Sequence, residues 1–294
     1  MNIYKENING IKSSLGICIG ASTISFVKLV KDSSVPKLDF VKSITHDGNP
    51  KQVLKNFFND NDPDGISIVV TGRKFKNLVN TYSISEPEAI ELSYQHLNYK
   101  EKFGVIASLG GENFIVYCLN KSGNISNVIT GNKCASGTGE FFLQQIGRMN
   151  LNVEEAISLS ENESPYLVSG RCSVFCKSDC THALNKGVPK PSVVSGLAKM
   201  IADKSIELLS KQKSKDILIV GGVSRNNSVV NYIREHYPSA FIPEEAVYFE
   251  ALGAALKALK VESYIDKNDI FGKLTISFNH LEPLLNGNAK VTFK

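Results

Sequence analysis

Residues 15–30 read Leu-Gly-Ile-Cys-Ile-Gly-Ala-Ser-Thr-Ile-Ser-Phe-Val-Lys-Leu-Val. The first half is an apolar run that ends at a glycine, and the second half alternates apolar and polar residues. This pattern predicts a strand, a glycine turn and a second strand that pairs with the first as a hairpin. Such turns present backbone N–H groups to anions, so Gly20, Ala21, Ser22 and Thr23 are candidate phosphate-binding residues.

The same layout returns twice along the chain. Residues 103–111 and 113–119 form a second strand–glycine–strand unit, which repeats the first in shape rather than in sequence. A third apolar run at residues 216–220 also ends in glycines. The further candidates for binding a nucleotide are therefore Gly110, Gly111, Glu112, Gly221 and Gly222.

Helical patterns separate these strands, which predicts an α/β fold. One of these helices, expected near residues 248–261, contains Ala-Leu-Gly-Ala-Ala, and its small residues permit close approach of another backbone. The other helices are expected at residues 50–61, from Ser85 onward, and at 135–148, 153–160, 173–185, 191–209 and 228–237. Two more strands are expected at 38–44 and 65–72.

Charge and hydropathy exclude several classes of protein. The 33 basic and 29 acidic residues give a net charge of only +4, without a dense basic block, so no nucleic-acid partner is expected. No apolar run approaches the length of a membrane span, and the first ten residues lack the apolar core of a signal peptide. We therefore expect a cytoplasmic protein with no membrane partner, in which cysteines are ligands or catalysts more often than disulfides.

Four of the six cysteines lie in two short segments. Residues 131–140 read Gly-Asn-Lys-Cys-Ala-Ser-Gly-Thr-Gly-Glu, which places Cys134 just before a turn with Gly137 and Gly139 as candidate cofactor-binding residues. Residues 169–180 contain Cys172, Cys176 and Cys180 at steps of four, which on a helix form one slanting stripe. This concentration predicts a metal or iron–sulfur site beside a phosphate-binding turn.

The cysteine pattern leaves alternatives open. A [4Fe-4S] cluster needs four cysteine ligands, and the four named above could supply all of them within one chain. A structural zinc ion is the other metal considered. Cys176 and Cys180 could also have no ligand role and simply pack in the core as part of a helix. His182 is either a further ligand or a polar residue of a helix face. Cys18 and Cys118 lie in apolar strands and are expected to be small buried residues.

These segments together resemble the BadF/BadG/BcrA/BcrD family of ATPases, the activators of 2-hydroxyacyl-CoA dehydratases and benzoyl-CoA reductases. The resemblance covers about residues 14–260, and the segment 132–139 is its most distinctive match. It implies the two-lobed, actin-like (ribonuclease H-like) ATPase fold that sugar kinases and Hsp70 share, with a nucleotide cleft between the lobes. Lobe I is then residues 1–101 with the returning helix at 250–265, lobe II is 102–249, and 266–294 form a C-terminal tail that could lead to further domains.

The resemblance also implies a function. Family members are oxygen-sensitive homodimers of anaerobic metabolism that hold one [4Fe-4S] cluster between their subunits, and on this basis Cys134 and Cys172 of each subunit are its ligands. They bind ATP or ADP with Mg²⁺, receive electrons from a donor such as ferredoxin or flavodoxin, and deliver a low-potential electron to an acyl-CoA dehydratase or reductase component. The first expectation is therefore an ATP-dependent activator of this type.

Two positions depart from the family pattern. The family has an aspartate in each of its first two phosphate loops, where this chain has Cys18 and Ser108. Mg²⁺ prefers oxygen ligands, so a thiol and an uncharged hydroxyl leave the catalytic residues unassigned and ATP hydrolysis in question. Nearby acids that could compensate are Glu86, Glu112 and Glu140.

These departures define two rival functions. One is a regulatory or docking module that binds nucleotide and a cluster with little ATPase activity, which the missing aspartates favour. The other is a sugar or small-molecule kinase on the same fold, which leaves the cysteine segments unexplained.

Overall fold

The computed structural model describes residues 11–31, 35–131, 138–170, 172–266 and 269–271. The expected cluster ligand Cys134, the turn residue Gly137 and most of the expected C-terminal tail lie outside the described residues. Predictions for these positions therefore stay predictions.

Lobe I is built on a five-stranded sheet with the strand order β3-β2-β1-β4-β5. The predicted hairpin at residues 15–30 is confirmed, because β1 and β2 pair antiparallel across the turn at Gly20. β1 also pairs in parallel with β4, and β2 pairs antiparallel with β3. The strands are β1 (Ser13–Ile19), β2 (Thr23–Val30), β3 (Lys37–Thr45), β4 (Ser67–Thr71) and β5 (Tyr82–Ser83).

Lobe II repeats this arrangement in a four-stranded sheet with the order β8-β7-β6-β9. β6 pairs antiparallel with β7 and in parallel with β9, as β1 does with β2 and β4. The repeat of shape expected from the sequence is therefore confirmed. The strands are β6 (Val105–Leu109), β7 (Phe114–Leu119), β8 (Ile125–Thr130) and β9 (Ile217–Val220).

The helices lie close to their predicted bounds, and polar caps begin several of them. Ser85 caps α2 through a hydrogen bond from the Glu88 backbone N–H to its Oγ at 3.3 Å, as expected. α3 begins at Gly139, capped by the Thr138 side chain. The helices are α1 (Pro50–Asp60), α2 (Glu86–Leu97), α3 (Gly139–Arg148), α4 (Val153–Ser160), α5 (Ser173–Asn185), α6 (Lys190–Leu209), α7 (Asn227–His236) and α8 (Phe249–Ala258).

Helix α8 packs against the lobe I sheet at backbone contact distance. A Cβ atom added to Gly16 of β1 would lie 2.0 Å from the Ala251 carbonyl oxygen of α8. A Cβ added to Gly253 of α8 would lie 1.9 Å from the Ala89 carbonyl oxygen of α2. The small residues of α8 therefore do permit the close packing expected from the sequence, and this packing fixes the first turn of α8 beside the end of β1.

Candidate functional site

The three predicted glycine turns line one cleft between the two sheets. Its volume is about 540 Å³, within the usual range for pockets that bind small molecules. All but two of the eleven candidate cofactor-binding residues line it: Gly20, Ala21, Ser22, Thr23, Gly110, Gly111, Gly139, Gly221 and Gly222. Glu112 lines an adjoining recess, and Gly137 lies outside the described residues.

Backbone constraints hold the turns in position. The Gly20 N–H donates to the Thr23 carbonyl at 3.0 Å, and the Gly110 N–H donates to the Asn113 carbonyl at 3.1 Å. Gly221 has φ of +96°, and a Cβ there would lie 2.6 Å from the Leu109 carbonyl oxygen, so both conformation and space require glycine. The backbone of the turn after β9 therefore packs directly against the end of β6.

The beginning of α3 packs on the second turn. The backbone N–H groups of Gly139 and Glu140 donate to the carbonyls of Gly110 and Gly111 at 3.3 and 2.8 Å. The segment that follows the expected ligand Cys134 is thus attached to the floor of the cleft.

Polar contacts join the two lobes across the cleft. The Ser22 hydroxyl donates to the Glu140 carboxylate, and the Lys74 ammonium pairs with the Glu112 carboxylate. Arg73 pairs with Glu86 at 3.5 Å within lobe I. The three acids that the sequence offered as compensating carboxylates therefore all have partners in this structure.

A fourth carboxylate, which the sequence analysis did not identify, contacts both residues that replace the family's aspartates. The Cys18 thiol donates to Glu250 Oε2 at 3.2 Å, and the Ser108 hydroxyl donates to Glu250 Oε1 at 3.3 Å. Burial, with a smaller effect of the Glu86 charge, raises the pKa of Glu250 to about 7. The signal that could have identified it is an acid in the first turn of the predicted helix at 248–261.

Cys18 differs from the expectation of a small buried residue. Its side chain is partly exposed and lines the cleft, and Cys118, for which burial was also expected, is likewise only partly buried. Burial of the Cys18 sulfur, followed by the nearby Glu250 charge, raises the pKa of the thiol well above its ordinary value. The group therefore stays protonated and acts as a hydrogen-bond donor.

Cys172, Cys176 and Cys180 do not share one environment. Cys172 is the half-buried residue just before the helix, whereas Cys176 and Cys180 are buried in the core of lobe II. The Cys176 thiol donates to the Cys180 sulfur, which lowers the pKa of Cys180. His182 is exposed, as its polar interpretation expected.

The described residues contain no group of three or more His, Cys, Asp or Glu side chains placed to hold a metal ion. Cys134 is not among these residues, so its pairing with Cys172 stays a prediction. In the same part of the chain, we find no helix with the length and apolar character that crossing a bilayer requires.

Known proteins resemble this chain in sequence and in fold. The 2-hydroxyisocaproyl-CoA dehydratase activator of Clostridioides difficile is 27% identical over 254 residues, which cover 83% of this chain and 94% of the activator. The solved structure of the Clostridium difficile activator with bound ADPNP covers 84% of this chain and 94% of its own, with a TM-score of 0.72 and 24% identity.

Component A of (R)-2-hydroxyglutaryl-CoA dehydratase from Acidaminococcus fermentans gives a TM-score of 0.69 at 21% identity. It covers 84% of this chain and 97% of its own. These likenesses confirm the expected two-lobed, actin-like fold. The sequence profile of the BadF/BadG/BcrA/BcrD ATPase family matches residues 93–258, more than half of the chain, and the chain therefore belongs to that family.

Proposed function

We propose that this protein is an ATP-dependent activator that delivers an electron from a [4Fe-4S] cluster to an acyl-CoA dehydratase or reductase. The observation that carries the proposal is the meeting of three glycine turns from both lobes in one cleft. The names of the relatives support the activator role, and the ADPNP bound to one of them supports a nucleotide in the cleft.

The residues of each turn have a defined part in this proposal. Backbone N–H groups at Gly20–Thr23 and Gly110–Glu112 approach the phosphates from opposite lobes. The third turn, at Gly221 and Gly222, lies beside aliphatic side chains of the same cleft, among them Ile201 and Val223, which suit the adenosine end. A change of nucleotide then alters the separation of the turns and, through α3, the position of the cysteine segment.

The chemistry of the thiols favours Cys172 as the cluster ligand of α5. The Cys172 thiol lies directly before the helix and makes no capping hydrogen bond to it. Cys176 and Cys180 face the core, where they pack among apolar side chains. The burial of Cys176 and Cys180 therefore supports our proposal that the cluster is held by Cys134 and Cys172 from each of two subunits, rather than by four cysteines of a single chain.

Exposed apolar side chains flank Cys172 in the sequence. Leu167, Val174 and Phe175 expose 82%, 69% and 63% of their surface. Large apolar side chains grouped at a surface are typical of an interface between proteins. A second copy of this chain, related by a twofold axis near Cys172, would cover them and bring two pairs of ligands together.

The cluster, when bound, supplies a one-electron donor of low potential. The proposed electron donor to the protein is a ferredoxin or flavodoxin, and the cleft supplies Mg²⁺-dependent ATP hydrolysis. The protein itself holds the thiolates, shields them at the subunit interface and couples their exposure to the nucleotide.

The test is anaerobic reconstitution with iron and sulfide, followed by analysis of metal content, oligomeric mass and ATP turnover. We expect a dimer with about two irons per chain, as four cysteines from two chains require. Cys172→Ser should remove the iron, whereas the control Cys118→Ser, on β7, should keep it. A colourless monomer would contradict the electron-transfer role, and about four irons per chain would assign the cluster to a single subunit.

A second candidate function is a nucleotide- and cluster-binding regulatory or docking module. The specific observation in its favour is that a thiol and a hydroxyl, Cys18 and Ser108, occupy the ends of the two central strands. Mg²⁺-dependent ATP turnover under strict anaerobiosis separates the candidates. Tight nucleotide binding without turnover would favour the module.

A further inference from the structure

The Glu250 carboxylate lines the cleft but has no role in the function proposed above. It lies in the first turn of α8 and accepts hydrogen bonds from Cys18 of β1 and Ser108 of β6. β1 and β6 are the corresponding strands of the two sheets, and each leads within two residues to the glycine of its turn, Gly20 or Gly110. One carboxylate therefore occupies the point at which both candidate phosphate-binding turns begin.

The carboxylate is accessible from the cleft. Glu250 lines both the main cleft and the smaller recess of about 90 Å³ that adjoins it. The two cavities share the glycines of the first two turns, so Glu250 stands at the phosphate end of the cleft rather than at its aliphatic end. A ligand that reaches these turns also reaches Glu250.

Among the described residues, the neighbouring acids form ion pairs and Glu250 does not. Glu86 pairs with Arg73, and Glu112 pairs with Lys74. None of the ion pairs between described residues includes Glu250, whose direct partners are a thiol and a hydroxyl. An enclosed carboxylate with only neutral donors is costly to ionise, and a bound cation removes that cost.

We propose that Glu250 is the carboxylate that binds the Mg²⁺ of a Mg–nucleotide in this cleft. Mg²⁺ is bound in proteins through one or two carboxylates together with phosphate oxygens and waters. Glu250 provides such an oxygen ligand where β1 and β6 end in a thiol and a hydroxyl, neither of which suits a hard cation well. The inference rests on the proposed nucleotide binding and names the residue that gives it magnesium dependence.

The competing explanation is a purely structural one, in which Glu250 joins the two lobes through Cys18 and Ser108. Glutamine separates the two roles. Its Oε1 atom still accepts a hydrogen bond from a thiol or a hydroxyl, so Glu250→Gln keeps much of the structural tie while removing the charge that Mg²⁺ needs.

The experiment measures the dissociation constants of ADP and ADPNP for the full chain, with Mg²⁺ and with excess EDTA, by equilibrium dialysis. For the wild type we expect Mg²⁺ to tighten ADPNP binding. For Glu250→Gln we expect the Mg²⁺-dependent gain in ADPNP affinity to be smaller by roughly 10- to 100-fold, the usual cost of altering a metal site. The dissociation constant measured in EDTA should be unchanged. Glu88→Gln is the matched control, because Glu88 contacts the same helix through Lys257 at 3.2 Å but lies outside both cavities.

A rescue variant strengthens the test. Ser108→Asp in the Glu250→Gln background places a carboxylate one hydrogen-bond length from the original one, and it should restore part of the Mg²⁺ dependence. Full Mg²⁺ dependence in Glu250→Gln, with only a lowered melting temperature, would overturn the inference in favour of the structural tie. A wild type that binds no nucleotide under either condition would instead overturn the proposed function, and the inference with it.

Discussion

The cleft and the cysteine helix show two ways in which a sequence pattern relates to structure. Glycines at the ends of strands restrict the backbone where they occur, and all three predicted turns meet in one cleft. Cysteines at steps of four specify only one stripe of a helix, and the packing of α5 decides which of them face the core. Cys176 and Cys180 are buried there, and only Cys172 lies at the edge of the helix. Local geometry therefore predicts the turns that form the cleft, whereas the burial of each cysteine depends on the packing of the helix.

The largest effect is expected for a substitution in one of the glycine turns of the cleft. Gly221→Ala should lower the free energy of unfolding by about 3 kcal/mol. The alanine would have to adopt a positive φ that is unfavourable for it, and its Cβ would clash with the Leu109 carbonyl oxygen. Urea unfolding monitored by circular dichroism measures the change. Gly222→Ala is the matched control, since a Cβ at Gly222 meets no atom within 4 Å. Equal losses in both variants would show that the turn is not sterically constrained.

The second largest effect is the change with pH in the contribution of Glu250 to the free energy of unfolding. Its folded-state pKa of about 7 is above the ordinary value of 4.5, so its contribution is fully present below pH 4.5 and is lost as the pH rises through 7. The wild type should therefore lose about 2 kcal/mol relative to Glu250→Gln between these pH values. The groups that set this pKa or whose own pKa Glu250 affects are Cys18, Glu86, Arg73, Ser108 and Tyr117.

Urea unfolding of both proteins across this pH range measures the difference. A stability difference that stays constant from pH 4.5 to pH 8 would mean that folding does not shift the pKa of this carboxylate. It would then give no support to an enclosed Glu250 that forms no direct ion pair with a described residue.

A smaller effect is expected for the cysteines, and it tests whether Cys176 is more buried than Cys172. Cys176→Ser should lower the free energy of unfolding by about 1 to 2 kcal/mol, because it replaces a buried sulfur with a hydroxyl in an apolar core. Cys172→Ser, at the half-buried end of the helix, should change stability by less than about 0.5 kcal/mol.

Alkylation of the native, metal-free protein, read by mass spectrometry, provides the matching measurement. Cys172 should react well before Cys176 and Cys180. Rapid alkylation of all three would mean that α5 turns its whole stripe to the surface, and a four-ligand cluster in one chain would then become the better proposal.

The smallest effect concerns the ion pair at the mouth of the cleft. Lys74→Ala removes the pair with Glu112, but both side chains are exposed, so the free energy of unfolding should fall by no more than about 0.5 kcal/mol. Lys199→Ala, which removes an ion pair within α6, should change stability equally little. A loss above about 2 kcal/mol at Lys74 alone would show that surface charge holds the lobes together.

Much of the fold was predictable because its signals are local. Apolar runs that end at Gly20, Gly110 and Gly221 identify the strands, and the Ser85 cap identifies the start of α2. The role of Glu250 was not predictable, because its two partners are 232 and 142 residues away in sequence. The burial of Cys176 and Cys180 depends equally on contacts between distant elements, which the spacing of cysteines does not encode.

The central claim is that the three turns bind one nucleotide together. Amide hydrogen exchange of the full chain, with and without Mg²⁺ and ADPNP, tests it most directly. The account predicts slower exchange at all three turns, 20–23, 110–112 and 221–222, at one nucleotide per chain. Protection confined to a single turn, or no protection at saturating nucleotide, would contradict it.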